Sequence, residues 1–245
     1  MRAEEFISAV SGMSHEDDRF EELKNGLPLG LDATDNVVIA QKRKRPYTLR
    51  NTCVTGVGTS NFIRRFLISV SCLYDRSEAC FFVISPKTEY GELLRMKSMD
   101  ITVPYIRTKS DLELAALTIK ELLEQRGADG KGYPHLFIVL DGLEELGETD
   151  RNSDLEEYRN IFELFTRRED VDVICGTELM RSIFSGYPGA FVGVGNCLIS
   201  LREEGKADVT YVNDDATLSL PIPVHYPSEP SVMETIIYLN ALPTA

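Results

Sequence analysis

The fold of this chain is decided by one short stretch, Thr55-Gly56-Val57-Gly58-Thr59-Ser60-Asn61. A phosphate-binding P-loop has the pattern G-x-x-x-x-G-K-[ST], in which backbone N–H groups surround the phosphates, the lysine neutralises their charge and the hydroxyl holds magnesium. Gly58 and Ser60 match this pattern, whereas Cys53 replaces the first glycine and Thr59 replaces the lysine. The stretch therefore predicts the outline of a phosphate site without its main positive charge.

The segments on either side of the turn have the periodicity that a P-loop requires. Residues 47–55 are typical of a strand, and apolar residues recur after the turn at helical spacing. These apolar residues are Phe62, Ile63, Phe66, Leu67, Val70 and Leu73. A Gly-x-Gly turn also serves any tight connection, so a structural turn and a phosphate site both stay open on this segment alone.

A second motif is the apolar run His135–Asp141, which ends in a carboxylate. In P-loop ATPases an aspartate at the end of a buried strand orients magnesium and its waters, and a neighbouring glutamate often activates the attacking water. The next residue here is Gly142. Glu144 and Glu145 follow, and for both a chemical role and a role at a helix N-terminus stay open.

With both motifs in view, the chain resembles the FtsK/SpoIIIE family of ring-forming P-loop motors. Further segments follow in family order: Pro28-Leu29-Gly30-Leu31-Asp32 is similar to the lead-in "PLGLD", Phe81-Phe82-Val83-Ile84-Ser85-Pro86-Lys87 to "FYLIDPKGGE" with Ser85 for the aspartate, Leu136 to Leu146 to the Walker B region, and Asp172-Val173-Ile174-Cys175-Gly176-Thr177 to a strand that carries a polar sensor residue. The landmarks cover roughly residues 27 to 200, which is more specific than either motif alone.

The resemblance implies an α/β fold of the P-loop NTPase (RecA-like) class, a three-layer sandwich with a mainly parallel sheet and a C-terminal β-hairpin and helix. It implies an N-terminal helical extension at 1–26 and a degenerate FtsK/SpoIIIE-like domain at 27–245. The nucleotide-binding residues that it implies are Gly56, Gly58, Thr59, Ser60, Asn61 and Asp141, with Ser60 and Asp141 as magnesium ligands if a nucleotide binds. No catalytic residue is assigned.

The departures from the family pattern fall on the chemistry. Losing the lysine at Thr59 and the glutamate at Gly142 would each cost on the order of several kcal/mol in the transition state. The chain therefore resembles the degenerate domains of the type VII secretion ATPases EssC and EccC. This resemblance implies a pseudo-ATPase that serves as an interaction or regulatory module of a secretion or translocation motor. We expect weak or absent binding of ATP and magnesium, and neighbouring FtsK-like domains or secreted proteins as partners.

The alternative is an active ATP-driven translocase of DNA or protein, in which a lysine from elsewhere compensates the phosphate site. Lys87 is the nearest candidate by motif order. Measurable turnover that rises with oligomerisation would favour this alternative, whereas nucleotide binding without turnover would favour the pseudo-ATPase.

Composition limits the remaining classes. At 245 residues the chain fits one compact α/β domain, and no stretch approaches the roughly 20 apolar residues of a membrane span. Because Glu4 and Glu5 stand where a signal peptide would be basic and then apolar, we expect a cytoplasmic protein, at the inner face of the membrane if it is part of a larger complex. Five cysteines without a C-x-x-C pair predict reduced core residues, and Cys53 as a nucleophile lacks an evident base. Three scattered histidines make a transition-metal site unlikely.

Charge argues against nucleic acid as a partner. The formal net charge of −13 repels a phosphate backbone unless the basic residues are concentrated. One concentration exists, at residues 42–45, where a solvated turn and a contact to an acidic partner or nucleic acid both stay open. The acidic segment 141–157 is suited to a basic partner surface. Phe184, Tyr187 and Phe191 are candidates for a peptide-binding patch or for the domain's own core.

Alternation of strand and helix patterns completes the sequence prediction. Strands are predicted near 37–40, 47–54, 79–84, 101–106, 135–140, 171–176 and 197–201, and helices near 60–73, 110–126, 155–168, 178–184 and 231–241. A hairpin is predicted from 207–212 and 217–220, and a flexible loop at 127–134.

Overall fold

A computed structural model describes residues 28–34, 37–39, 51–71, 73–97, 99–127, 130–146, 168, 170–176, 195–203, 205–211 and 219–226. Several predictions lie outside these described residues: the N-terminal extension, the basic residues 42–45, the helices near 178–184 and 231–241, nearly all of the helix near 155–168, and the aromatic residues Phe184, Tyr187 and Phe191.

The described elements alternate between strands and helices, as the sequence pattern predicts. The strands are β1 (Pro28–Leu31), β2 (Val37–Ile39), β3 (Asn51–Thr55), β4 (Ala79–Ile84), β5 (Asp100–Thr102), β6 (His135–Asp141), β7 (Val171–Gly176), β8 (Gly195–Glu203), β9 (Lys206–Tyr211) and β10 (Ile222–His225). The α-helices are α1 (Thr59–Ser71) and α2 (Lys109–Gln125), and two 3-10 helices span Thr88–Arg95 and Leu143–Leu146. No described helix is long and apolar enough to cross a membrane.

The strands form a single mixed sheet in the order β2-β1-β10-β9-β8-β3-β7-β6-β4-β5. Every pairing from β8 to β5 is parallel, and every pairing from β8 to β2 is antiparallel. Parallel strands present their carboxyl ends at the same edge of a sheet, which is where ligands bind in α/β folds. The ends of β3 and β6 therefore meet at one edge, with β7 between them.

Period-2 alternation in β6 builds the three layers. Phe137 and Val139 pack with α1 on one face of the sheet, whereas Leu136, Ile138 and Leu140 pack with α2 on the other. A strand that is buried on both faces has a continuous apolar sequence, which is what residues 136–140 show. The predicted three-layer α/β sandwich is confirmed.

Helix α2 begins where its sequence directs. Thr108 accepts a hydrogen bond from the Asp111 N–H, and the Asp111 side chain accepts one from the Thr108 N–H, which forms a capping box. The helix ends before Gly127, whose φ of +65° suits the left-handed conformation that follows many helices. The prediction of a helix near 110–126 was correct.

The C-terminal hairpin differs from its predicted boundaries. Its first strand, β9, pairs antiparallel with both β8 and β10, and its second strand is β10 at Ile222–His225, instead of 217–220. Ser219 and Leu220 are not in a strand. Pro221 and Pro223 have low strand propensity, so the sequence does not predict a strand around these residues. In the structure, pairing with neighbouring strands forms one nevertheless. The strand predicted near 101–106 is also shorter in the structure, where it ends at Thr102.

Candidate nucleotide site

The loop after β3 has the backbone of a P-loop. Gly56 and Gly58 adopt φ angles of +110° and +88°, and α1 begins at the next residue, Thr59. A Cβ atom at Gly56 would lie 2.6 Å from the Leu201 carbonyl oxygen, so the close approach of β8 also requires glycine there. The first N–H groups of α1 have no acceptor within the helix. The loop therefore presents backbone donors at the sheet edge.

Thr59 takes the position of the P-loop lysine and turns back onto the loop. Its Oγ1 donates a hydrogen bond of 2.7 Å to the Gly56 carbonyl oxygen. A lysine at this position would extend toward the phosphates with a positive charge. The threonine instead stabilises the turn and supplies no charge.

Asp141 ends β6 and lies beside Ser60 at the start of α1. The Ser60 hydroxyl donates to Asp141 Oδ2 at 2.6 Å, and the Tyr90 hydroxyl donates to the same oxygen at 2.9 Å. Asp141 is completely buried. Burial, together with the charge of Asp141, raises the pKa of Tyr90 well above its usual value, so Tyr90 is a stable donor to the carboxylate.

Lys87 reaches into the same cluster from the loop after β4. Its Nζ lies 2.9 Å from Ser60 Oγ and 3.3 Å from Asp141 Oδ2, with Glu145 Oε1 at 3.8 Å. The backbone N–H of Lys87 also donates to the Ser85 hydroxyl at 3.2 Å, which fixes the Cα atom from which the side chain extends. An ammonium group thus lies against both the hydroxyl and the carboxylate that the sequence predicts as magnesium ligands.

Gly142 makes room for Lys87. It adopts a φ of +67°, and a Cβ atom there would lie 2.5 Å from Lys87 Cε and 3.0 Å from Lys87 Nζ. A contact of 2.5 Å is far inside van der Waals distance, so any larger residue at 142 would displace the lysine side chain. The glycine that stands after Asp141 in place of a glutamate therefore leaves the space that the Lys87 side chain occupies.

Arg64 ties α1 to the 3-10 helix that follows Lys87. Its guanidinium donates to Glu92 Oε2 at 2.8 Å, to the Glu89 carbonyl oxygen at 3.3 Å and to Asn61 Oδ1 at 2.5 Å. The Arg64 side chain is largely buried, so this pair is better shielded from solvent than a surface salt bridge. It positions the segment that carries Lys87 and Tyr90 against the loop.

A cleft of about 440 Å³ opens between these elements. It is lined by Thr55, Gly56, Val57, Gly58, Thr59, Ser60, Asn61, Lys87, Glu89, Asp141 and Gly176.

Solved structures match the fold over most of the chain. The cytoplasmic domain of the Thermomonospora curvata type VII secretion ATPase EccC matches 89% of the chain with a TM-score of 0.62 and 14% identity. The cytoplasmic domain of EssC matches 90% with a TM-score of 0.57 and 14% identity. This chain has the fold of the EccC and EssC ATPase domains. No protein-family model matches the sequence, and no curated protein matches it significantly.

The chain spans less than half of those EccC and EssC structures, 31% and 46% of their respective lengths. A structure of ATPases 2 and 3 of Thermomonospora curvata EccC in complex with a signal sequence peptide matches 84% of this chain and 41% of its own length, with a TM-score of 0.58 and 13% identity. A chain described as an ATPase matches 94% of this chain over 95% of its own length, with a TM-score of 0.58 and 11% identity.

Within this EccC-type fold, the sequence-predicted site residues lie together. Gly56, Gly58, Thr59, Ser60, Asn61 and Asp141 all line the cleft. Glu145 lies near Lys87, whereas the Glu144 side chain and Thr177 are outside the described part of the chain. Tyr90 and Arg64 belong to the site without having been predicted, because nothing in the linear pattern separates a buried tyrosine or arginine from its neighbours. Nucleotide binding by the cleft residues stays a prediction.

The described cysteines pack in the core, as the sequence predicts. Cys53 is buried and is aligned with Cys175 on the neighbouring strand β7. Burial, together with Cys53 and Asp141, raises the pKa of the Cys175 thiol well above its usual value. The described cysteines are free thiols and form no disulfide with one another.

In the cleft of this chain, the Ser60 and Asp141 oxygens that the sequence assigns to magnesium contact protein groups, and magnesium binding there stays a prediction. Asp141 Oδ2 already accepts from Ser60, Tyr90 and Lys87. Asp141 Oδ1 has less than 1 Å² of accessible surface and no hydrogen-bond partner among the described residues. Oδ1 packs beside Gly176, where an added Cβ atom would lie 2.5 Å from Oδ1 and equally close to side-chain carbons of Ile63 and Thr59. The oxygens that the loop pattern assigns to a metal are thus engaged or enclosed.

Proposed function

We propose that this chain is a pseudo-ATPase domain that acts as an interaction or regulatory module of a secretion or translocation motor. On this proposal the cleft binds ATP weakly or not at all and does not hydrolyse it efficiently. The observation that carries the proposal is the Gly142 and Lys87 arrangement. The backbone position that would carry a water-activating glutamate has a positive φ, and the space beside it holds the lysine side chain.

The loop supports the same conclusion. Thr59 hydrogen-bonds to Gly56 and carries no charge for the phosphates. Removing a donor aimed at transition-state charge costs about 3–4 kcal/mol in enzymes where it has been measured, and two such losses reduce turnover by several orders of magnitude. Gly56, Gly58, Thr59, Ser60, Asn61 and Asp141 are the residues that we propose to contact a nucleotide if one enters.

The partner part of the proposal rests on the fold. EccC and EssC are matched over less than half of their chains, and one EccC structure contains two ATPase domains together with a signal sequence peptide. We infer that this chain contacts neighbouring FtsK-like ATPase domains or secreted protein substrates in the cytoplasm, at the inner face of the membrane. The net charge of −13 disfavours DNA as the partner.

One observation favours the alternative, an active translocase with a compensated phosphate site. Lys87 reaches the cleft from another strand, as that alternative requires. Its ammonium, however, contacts Ser60 and Asp141, and the cleft lining contains no second lysine or arginine among the described residues.

The test of the pseudo-ATPase is phosphate release from ATP and magnesium by the purified wild type and by Ser60→Ala. Ser60→Ala removes the hydroxyl that a P-loop needs for its metal, so it lowers any turnover that belongs to this cleft and leaves turnover by contaminants unchanged. We expect equal background rates. A wild-type rate clearly above that of Ser60→Ala would overturn the pseudo-ATPase and support the translocase.

The proposed role as an interaction or regulatory module is tested in a separate experiment. The chain is mixed with an active FtsK-like ATPase domain from the same organism, and cosedimentation and ATP turnover are measured. We expect a complex and a changed turnover of the active domain. Independent sedimentation of the two proteins would contradict this part.

A further inference from the structure

The cleft contains its own cation. Lys87 Nζ contacts Ser60 Oγ at 2.9 Å and Asp141 Oδ2 at 3.3 Å. In P-loop ATPases the loop hydroxyl and an aspartate from a neighbouring strand end are the protein groups that hold magnesium. Here the positive group that lies against both is the end of a lysine side chain.

We propose that the Lys87 ammonium replaces the divalent metal as the resident cation of this cleft, so that the wild-type site excludes magnesium. This proposal rests on the proposed function, because it takes the cleft to be a former nucleotide site. It goes beyond that function by assigning the metal's position to a specific side chain of the chain itself.

The hydrogen-bond pattern around Asp141 supports the replacement. A completely buried carboxylate needs a compensating charge or several donors, since an isolated buried charge is strongly disfavoured. Asp141 Oδ2 has both, through the Lys87 ammonium and the hydroxyls of Ser60 and Tyr90. Oδ2 of the carboxylate is therefore compensated by protein groups, without a metal ion.

The backbone around Lys87 supports it as well. The side chain passes over Gly142, where a Cβ atom would lie 2.5 Å from Lys87 Cε, and the Lys87 N–H is held by Ser85 Oγ. Only 23% of the Lys87 side chain is exposed, so the ammonium is a part of the packed site and is not a mobile surface charge. Gly142 thus leaves the space through which the Lys87 side chain reaches Ser60 and Asp141.

Charge in the cleft is consistent with this role. Among the described residues that line the cleft, Lys87 is the one formal cation, against the carboxylates of Glu89 and Asp141. A magnesium ion entering beside Lys87 would meet a like charge within contact distance of its ligands, which costs free energy in a shielded site. Metal and ammonium therefore compete for the same oxygens.

The experiment uses Mn²⁺ as the metal probe and follows bound Mn²⁺ by electron paramagnetic resonance, without nucleotide. The proteins are the wild type, Lys87→Met, and Lys120→Met as a matched control on the exposed face of α2. Lys87→Met replaces the ammonium by an unbranched apolar side chain that is one heavy atom shorter and carries no charge. We expect about tenfold or greater tightening of Mn²⁺ binding in Lys87→Met, and no change in Lys120→Met, because only the first variant frees Ser60 and Asp141.

The proposal is overturned if the wild type binds Mn²⁺ as tightly as Lys87→Met. A second readout is thermal unfolding with and without magnesium, in which we expect stabilisation by the metal in Lys87→Met alone. If Lys87→Met is too unstable to purify, Lys87→Gln keeps a hydrogen-bond donor without charge and carries the same expectation. Variants that remain unfolded with and without metal would also overturn it, since a metal could then not replace the ammonium.

Failure of this proposal is distinguishable from failure of the proposed function. Metal binding by the wild type without ATP turnover overturns the role of Lys87 and leaves the pseudo-ATPase in place. Turnover that is lost in Ser60→Ala overturns the pseudo-ATPase itself.

Discussion

Substitution of Gly142 by alanine tests the link between the missing glutamate and Lys87. The added Cβ atom has two consequences. It places a non-glycine residue at a φ of +67°, which costs about 1–2 kcal/mol. It also lies 2.5 Å from Lys87 Cε, so the end of the lysine side chain must shift, and we expect it to lose its contacts to Ser60 and Asp141.

The magnitude of the second consequence follows from Asp141. Removing the partner of a buried charge costs about 3–5 kcal/mol, and we take about 2–3 kcal/mol here because the Lys87 side chain is partly exposed and the hydroxyls of Ser60 and Tyr90 remain. Gly142→Ala is therefore expected to lower the free energy of unfolding by about 3–5 kcal/mol in total.

Gly127→Ala is the matched control. Gly127 has nearly the same φ, +65°, and a Cβ atom there would meet nothing within 4 Å. The two variants thus share the backbone cost and differ in the displacement of Lys87. Unfolding in urea, followed by circular dichroism, gives both free energies on one scale.

Two results show whether the methyl group at position 142 displaces Lys87. We expect Gly142→Ala to lose about 2–3 kcal/mol more than Gly127→Ala, and this excess to disappear in a Lys87→Ala background, because the lysine side chain is then already absent. Equal losses in the two single variants would refute the reasoning, since Lys87 would then keep its contacts despite the new methyl group.

Three further predictions concern the loop, a helix terminus and pH. Thr59→Lys restores a charged phosphate donor and is expected to tighten ATP binding about tenfold or more by isothermal titration. An unchanged affinity would contradict the proposal that the loop residues contact the nucleotide. Thr108→Ala removes a cap of α2 and is expected to cost about 1 kcal/mol in urea unfolding, whereas a loss near zero would show that the capping box contributes little. Burial raises the pKa of Asp170, but the hydrogen bonds and charges of Arg168 and Arg126 outweigh it and lower the pKa below its usual value. A carboxyl whose pKa is lowered by folding stabilises the folded state at pH values above its unfolded pKa of about 4, and this stabilisation is lost as the pH falls toward the folded pKa. The stability deficit of Asp170→Asn should therefore shrink below about pH 4. A deficit that does not change with pH would contradict the lowered pKa of Asp170.

The fold was largely predictable from local sequence signals. Apolar runs such as residues 136–140 define strands that are buried on both faces, and the helical spacing after residue 61 defines the face of α1. The antiparallel half of the sheet was less accessible to prediction. Strand β10 contains Pro223, and it pairs with β9 on one side and with β1, from the other end of the described chain, on the other.

The site was predictable in its loop and in Asp141, but its network was not. Glycines at fixed spacing and a carboxylate after an apolar strand are local signals that carry their own geometry. Tyr90 and Arg64 carry no such signal, since their roles depend on which atoms other segments place beside them.

The sequence alone shows that a glycine follows Asp141, that a threonine replaces the P-loop lysine, and that strand, loop and helix follow one another in P-loop order. The position of Lys87 beside Gly142, with its ammonium against Ser60 and Asp141, emerges only in the folded chain. Strand order and packing place β4 next to β6, and residues more than fifty positions apart therefore share one buried charge. Local sequence patterns describe each strand end, but the electrostatic balance of the cleft belongs to the assembled sheet.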